Sequence, residues 1–304
     1  MKADVICPRS ESLALTRTVG YLQLVRPRLG LLVLVTVGAG WLLAATNGAN
    51  CVPLIHALIG TTLLFAGASA LNQWLERDSD ALMQRTSNRP LPAARLQSRE
   101  VLVLGCALSA AGLADLAAAR QLLGVGLGVF ALISYVLIYT PLKRRTTLNT
   151  LIGAVAGAVP PLIGWAAARG RLDAGALALF LIVFLWQVPH FLAIAWIYRD
   201  EYRSAGLRML PVFDRDGLQT GRQMTRYTLM LIFASIMPCA LGLGSWLLAA
   251  GAVVLGGVFL YSAVVFNRNP TNHQARRVFR ASLVFLPTLL LTYVLDALLN
   301  GSWS

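Results

Sequence analysis

The feature that most constrains this chain is a succession of nine apolar runs. They fall at about 30–47, 52–75, 99–118, 122–141, 149–168, 174–197, 227–248, 250–267 and 278–299. Each is close to the ~20 residues a helix needs to cross a bilayer core. Short gaps bearing Asn, Gly, Pro or Arg separate them. Only helices and closed barrels satisfy every backbone polar group in lipid, so the apolar majority makes these runs helices. The expected fold is an all-α polytopic membrane protein with nine transmembrane helices. Only 13% of the residues are charged, against about 25% in a soluble domain. The weakest boundary is that between the seventh and eighth runs, where Leu247–Gly251 holds neither charge nor proline.

Charge placement gives the orientation. The segment before the first run and the loops after runs two, four, six and eight hold five, five, three, six and four Lys or Arg. The loops after runs three and five hold only Arg120, Arg169 and Arg171. By the positive-inside rule the N-terminus and the even loops are cytoplasmic and the C-terminus is outside. The net charge of +13 is then a property of one membrane face, which argues against nucleic acid as a partner. The first 28 residues are polar and mixed in sign. They lack the apolar core of a signal peptide and the acid-poor character of a transit peptide. A bacterial cell (inner) membrane is therefore expected, with residues 1–28 as a cytoplasmic N-terminal segment and 29–300 as one membrane domain. Cys7, Cys51, Cys106 and Cys239 form no CxxC pair and imply neither a disulfide framework nor a zinc site.

The chemistry is concentrated in residues 72–92, NQWLERDSDALMQRTSNRPLP, at the end of the second run. Ionisable groups at a span mouth are candidate functional residues by default. Asn72, Glu76 and Asp80 recur every four residues, so on a helix they drift only about 40° per step and share one face. Hard oxygen ligands in such a row suit Mg²⁺, which takes one or two carboxylates together with waters and substrate phosphates. Read alone, the cluster could be a solvated helix end with acids paired to Arg77 and Arg85. That reading leaves unexplained why Asn72 carries the row into the apolar span. Arg85 and Arg89 follow closely, and guanidinium groups grip phosphate oxygens in bidentate fashion.

Two further constellations share the cytoplasmic side, one after the fourth run and one along and after the sixth. Asp200 and Glu201 follow the sixth run as either surface acids or a second ligand set. If they face the first cluster, two metal ions could sit on one diphosphate. Lys143 and Arg144 are either membrane anchors or a diphosphate clamp. Asn149 opens the fifth run, as an N-cap or as a residue pointing into a cavity. Pro160-Pro161 should break or kink that helix. His190 shares the sixth run with Gln187 and is a candidate for substrate contact. His56 reads as structural, His273 as solvated, and Asp115 and Asp296 as interfacial.

These residues also carry a resemblance. The pattern Asn72-x-x-x-Glu76-x-Asp78-x-Asp80-x-x-Met83-x-Arg85-Thr86-x-x-Arg89-Pro90 is similar to the first acidic motif of the UbiA superfamily of intramembrane prenyltransferases. Within it the chain resembles the subfamily that farnesylates protohaem IX. Tyr139-Thr140-x-Leu142-Lys143-Arg144, Asn149, Gly153, Gly157, Pro160-Pro161 and Gly164-Trp165 agree with it. So do Trp186-Gln187-x-Pro189-His190-Phe191 and Tyr202-x-x-Ala205-Gly206-x-x-Met209-Leu210-Pro211, and less specifically Phe279 and Ser282. The subfamily commonly has an acid, often Asp, just before the tyrosine of the third block, where this chain has Glu201 preceded by Asp200.

The resemblance implies a nine-helix UbiA-like domain around a central cavity open to the cytoplasmic side. It implies farnesyl diphosphate held through Mg²⁺, in two ions, by Asn72, Glu76 and Asp80 on one side and Asp200 or Glu201 on the other. Arg85, Arg89, Lys143 and Arg144 would help hold the diphosphate. Haem B would be the acceptor and haem O the product. His190 and Asn149 are candidate haem contacts, and a haem A synthase is a candidate partner. Two other readings stand beside this one. A quinone or chlorophyll prenyltransferase would share the acid motifs. A transporter would be expected to place its acids near the midplane rather than at one surface.

Overall fold

The computed structural model describes residues 9–45 and 48–300. Cys7 and the first part of the 1–28 segment lie outside the described residues. Every element is helical: α1 Arg9–Val25, α2 Pro27–Ala44, α3 Val52–Asp80, α4 Ser98–Ala118 and α5 Leu122–Leu132. A π-helical stretch, Ile133–Tyr139, runs on from α5 into the short α6, Thr140–Leu142. Then come α7 Asn149–Gly157, α8 Pro160–Arg169, α9 Ala174–Ile197, α10 Arg199–Ser204 and α11 Leu210–Phe213. The chain closes with α12 Leu218–Ala240, α13 Trp246–Arg268 and α14 Asn272–Asn300.

Several boundaries follow from local chemistry. Arg26 precedes Pro27, which disfavours the right-handed helical region for it. It adopts φ 47° and separates α1 from α2. Pro160-Pro161 splits the fifth run into α7 and α8, as the sequence leads one to expect. Asp173 caps α9 by accepting from the N–H groups of Gly175 (3.1 Å) and Ala176 (3.3 Å).

Among the described residues eight helical segments are long and apolar enough to cross a membrane. The expected seventh run, 227–248, requires correction. α12 ends at Ala240, and the chain turns through 241–245 before α13 begins at Trp246. Gly242 has φ 76° there. Ser245 caps α13, its Oγ accepting from Leu248 N at 3.3 Å. Asp296 on α14 holds that turn, accepting from Ser245 N at 3.1 Å and from Ser245 Oγ at 2.5 Å. Asp296 is thus a buried fastener rather than an interfacial acid. Arg222, Gln223 and Arg226 in the first turns of α12 lower its apolar content, so α12 is not among the eight.

The helices pack as two linked groups. α3 packs mainly on α4, and α2 on α8. α9, α12, α13 and α14 form the second group, and α14 returns to α2. Small residues permit the closest approaches. A Cβ on Gly164 would strike the Val37 carbonyl oxygen, and one on Gly40 the Pro161 carbonyl oxygen. On the opposite side of the bundle from the acids, His56 Nδ1 lies 3.1 Å from Asp115 Oδ1, which ties α3 to α4. Cys51, Cys106 and Cys239 are free thiols.

At the other end the loops are knotted together. Ser69 Oγ and Gln73 Nε2 both donate to Leu24 O, at 2.7 and 3.0 Å. Arg208 N donates to Lys143 O at 2.6 Å. Arg199 donates to Asn272 Oδ1 at 2.8 Å. The connections 81–97, 143–148, 198–209 and 269–271 therefore gather at one face, the acidic end.

Candidate active site

The last three turns of α3 build the core of this face. At 1.5 Å per residue its 29 residues span about 44 Å, longer than the ~30 Å hydrocarbon core, so one end has to emerge. Asn72 and Asp80 are each 1% exposed and Glu76 9%. Buried carboxylates need partners, and two loops supply them. Lys143 Nζ lies 2.5 Å from Glu76 Oε1. Arg89 reaches Asp80 Oδ2, also at 2.5 Å. Thr86 Oγ1 donates to the Asp80 carbonyl at 2.9 Å, fixing the turn that brings Arg89 back.

The π stretch sets the opposing wall. Thr140 Oγ1 donates to Tyr135 O (2.9 Å) and accepts from Asn72 Nδ2 (3.0 Å). The Asn72 amide oxygen therefore stays uncommitted among the described residues. Lys143 Nζ lies 4.5 Å from the centre of the Tyr139 ring. Burial opposes the charge on Lys143, but the adjacent Glu76 carboxylate holds its pKa above the ordinary lysine value. Burial pushes the Arg89 guanidinium below its usual range, the Arg26 charge adds to this, and Asp80 works against it. Both remain cations at neutral pH.

The second acid pair divides. Glu201 Oε2 accepts from the Arg85 backbone N–H at 3.1 Å, and Arg85 donates to Tyr202 Oη at 3.0 Å. The same guanidinium lies 4.8 Å from the centre of the Tyr198 ring. Glu201 thus joins the loop that carries Arg89. Asp200 instead pairs with Arg203 at 3.1 Å, with its side chain 78% exposed. Arg144 is exposed beside Lys143. Asn149 is fully buried and donates to Thr146 O (2.6 Å) and Arg208 O (2.8 Å), tying the 143–148 connection to the 205–209 turn.

His190 sits deeper in the bundle. Its Nδ1 is 2.7 Å from Ser282 Oγ, whose hydroxyl donates to Phe279 O at 2.6 Å. With that hydroxyl proton committed, Nδ1 carries the hydrogen and Nε2 the lone pair. Trp186 stacks on the ring at 4.8 Å and Phe279 lies at 5.1 Å. Tyr139, Thr140 and Tyr202 entered the sequence reading only as parts of the resembling blocks and were given no role in the site. The blocks that contain them were the available signal.

Among the described residues no group of three or more His, Cys, Asp and Glu is gathered closely enough to hold a metal ion. The donor set nevertheless fits a hard divalent cation. Asp80 Oδ1 is buried without a hydrogen-bond partner, and an orphaned carboxylate oxygen of this kind is costly unless something positive meets it. The oxygens of Asn72 and Glu76 lie on the same helix face. The cavity between this site and α9 is about 50 Å³, lined by Tyr139, Thr150, Phe191 and Tyr202 among others. Ligand pockets usually measure about 300–1,000 Å³, so this space is closed to a prenyl chain as it stands.

The UbiA prenyltransferase family matches residues 33–287. A curated relative from Solibacter usitatus, named protoheme IX farnesyltransferase, is 43% identical over 285 residues, covering 91% of this chain and 98% of the relative. A solved digeranylgeranylglyceryl phosphate synthase is similar in fold, with a TM-score of 0.77 at 16% identity over 92% of this chain and 98% of its own. A UbiA homologue from Archaeoglobus fulgidus, solved with DMAPP and Mg²⁺, has a TM-score of 0.63 at 17% identity over 90% and 98%. This chain belongs to the UbiA prenyltransferase family.

Proposed function

We propose that this prenyltransferase is a protohaem IX farnesyltransferase, converting haem B, farnesyl diphosphate and water to haem O and diphosphate. The allylic C–O bond of farnesyl diphosphate breaks, its carbon joins a haem vinyl group, and water adds to the second vinyl carbon. The observation that carries the reading is the buried row of Asn72, Glu76 and Asp80, with a cation on each carboxylate and one Asp80 oxygen still unmatched. The name of the Solibacter relative supports haem as the acceptor.

In this reading Asn72, Glu76, Asp80 and Glu201 would hold Mg²⁺, in two ions, with Asp200 as the alternative to Glu201. Bound Mg²⁺ supplies positive charge against the departing diphosphate. Arg85, Arg89 and Lys143 hold the diphosphate oxygens, with Arg144 at the rim. Apolar walls from α9 and the π stretch keep water from the allylic carbon until the new bond forms. His190 presents its Nε2 lone pair towards the haem, and Asn149 braces the loops that frame the site.

α12 supplies a ninth crossing, residues 29–300 act as one domain, and the small cavity beside α9 widens towards the acidic end when substrate enters. That end faces the cytoplasm of a bacterial inner membrane, with the N-terminus on the same side and the C-terminus outside. A haem A synthase takes the product onward. The test is purified full-length protein with haem B, farnesyl diphosphate and Mg²⁺, followed by mass spectrometry. Haem O is the expected product. A prenylated 4-hydroxybenzoate formed in place of haem O would move the chain to the quinone branch.

A further inference from the structure

A sizeable groove lies away from the acidic site. It measures about 520 Å³, between α13 and α14, and is lined by Tyr261, Val265, His273, Gln274, Arg277 and Arg280 among others. α13 ends at Arg268 and α14 begins at Asn272. Arg199 of α10 donates to Asn272 Oδ1 at 2.8 Å, which fixes the groove at the acidic end of the bundle.

Its charge is one-sided. From Gly217 to Leu295 the chain contains Arg222, Arg226, Arg268, Arg276, Arg277 and Arg280 and not one Asp or Glu. Arg277 and Arg280 make no ion pair with any described acid. The groove also holds an unmet acceptor, since Gln274 Oε1 is buried without a hydrogen-bond partner. Two guanidinium groups beside one unmatched acceptor suit a phosphate that carries a hydroxylated substituent.

The apolar surroundings narrow the choice further. Tyr261 stands 68% exposed at the rim, and Val258 and Val254 continue its exposed face along α13. Val284 and Leu291 do the same along α14. A charged groove opening onto two lipid-facing apolar tracks matches a molecule with an anionic head and long chains. Free phosphate has no use for the tracks.

We propose that the α13–α14 groove binds the head group of an anionic glycerophospholipid. Arg277 and Arg280 hold the phosphate, Gln274 accepts from a head-group hydroxyl, and the acyl chains lie along the exposed faces of α13 and α14. Basic clusters at a bilayer surface favour anionic lipids in this way.

The test is native mass spectrometry of the full-length protein in mild detergent, titrated with phosphatidylglycerol or phosphatidylcholine. One phosphatidylglycerol should bind at least tenfold more tightly than phosphatidylcholine. The R277Q/R280Q variant should lose at least tenfold in phosphatidylglycerol affinity. R276Q removes an equal charge per site from the same helix but outside the groove, and should stay within twofold of wild type. Equal binding of the two lipids, equal losses in R276Q and the double variant, or displacement of the lipid by millimolar inorganic phosphate would each overturn the proposal. The wild-type lipid comparison decides by itself if the double variant fails to insert.

Discussion

The first and second acid clusters look alike in sequence, and the fold treats them differently. Glu76 and Asp80 are buried, with Lys143 and Arg89 brought to them by two separate loops. Asp200 stays in water with its helical neighbour Arg203, and only Glu201 turns inward, towards a backbone N–H. The first cluster would cost several kcal/mol if its cations were removed, because each carboxylate would be left buried and unpaired. Asp200 in the second costs almost nothing either way, since exposed pairs contribute about 0–1 kcal/mol. A carboxylate kept where it is expensive implies a demand on its charge. One kept in water does not.

That contrast can be broken or sharpened by experiment. The largest expected effect is on turnover. D80A should lower kcat by at least about 10³-fold, comparable to removing a principal charge-stabilising group, and excess EDTA should silence the wild type to a similar degree. Haem O formation by mass spectrometry checks both, with membrane insertion as the control. Full activity of D80A in EDTA would remove the metal role.

Next comes stability. R89A strands Asp80 and should cost about 3–5 kcal/mol, read as a lower Tm in detergent. The double variant R89A/D80A should regain most of that loss while remaining inactive. A third effect is smaller. E201Q should reduce turnover by roughly tenfold, at the scale of one charge-assisted contact of about 1.4 kcal/mol. The smallest is D200N, expected within about twofold of wild type, since exposed ion pairs carry little energy. A D200N variant as crippled as D80A would reverse the ranking of the two clusters.

The sequence made the first cluster legible because all its members sit on one helix, where spacing alone decides which side chains share a face. It could not assign the cations. Arg89 reaches Asp80 only because Thr86 pins the intervening turn, and Lys143 reaches Glu76 from a separate loop 67 residues along the chain. Neither contact leaves a periodic trace. The same limit explains the misplaced end of the seventh run. Leu247–Gly251 offered neither charge nor proline to mark a boundary, while the stop lies earlier, in Gly242 and Ser245, and is held by Asp296 from 51 residues away. The break at Pro160-Pro161 was legible for the opposite reason, because proline acts locally. Asn149 was recognisable as special, but its task of bridging two loops depended on Arg208, which no local pattern connects to it.

The π-helical stretch Ile133–Tyr139 has a consequence for the way this protein tolerates insertions and deletions. A π turn accommodates extra residue without lengthening the rod proportionately. Trimming one amino acid from the regular helix before it, Leu122–Leu132, would rotate everything downstream by about 100° unless the π turn took up the change. Thr140 would swing away from Asn72 and Lys143 from Glu76, while the hydropathy profile stayed almost unchanged. A shortened chain of this kind would still insert and would look normal by composition, yet it would be mute as a catalyst.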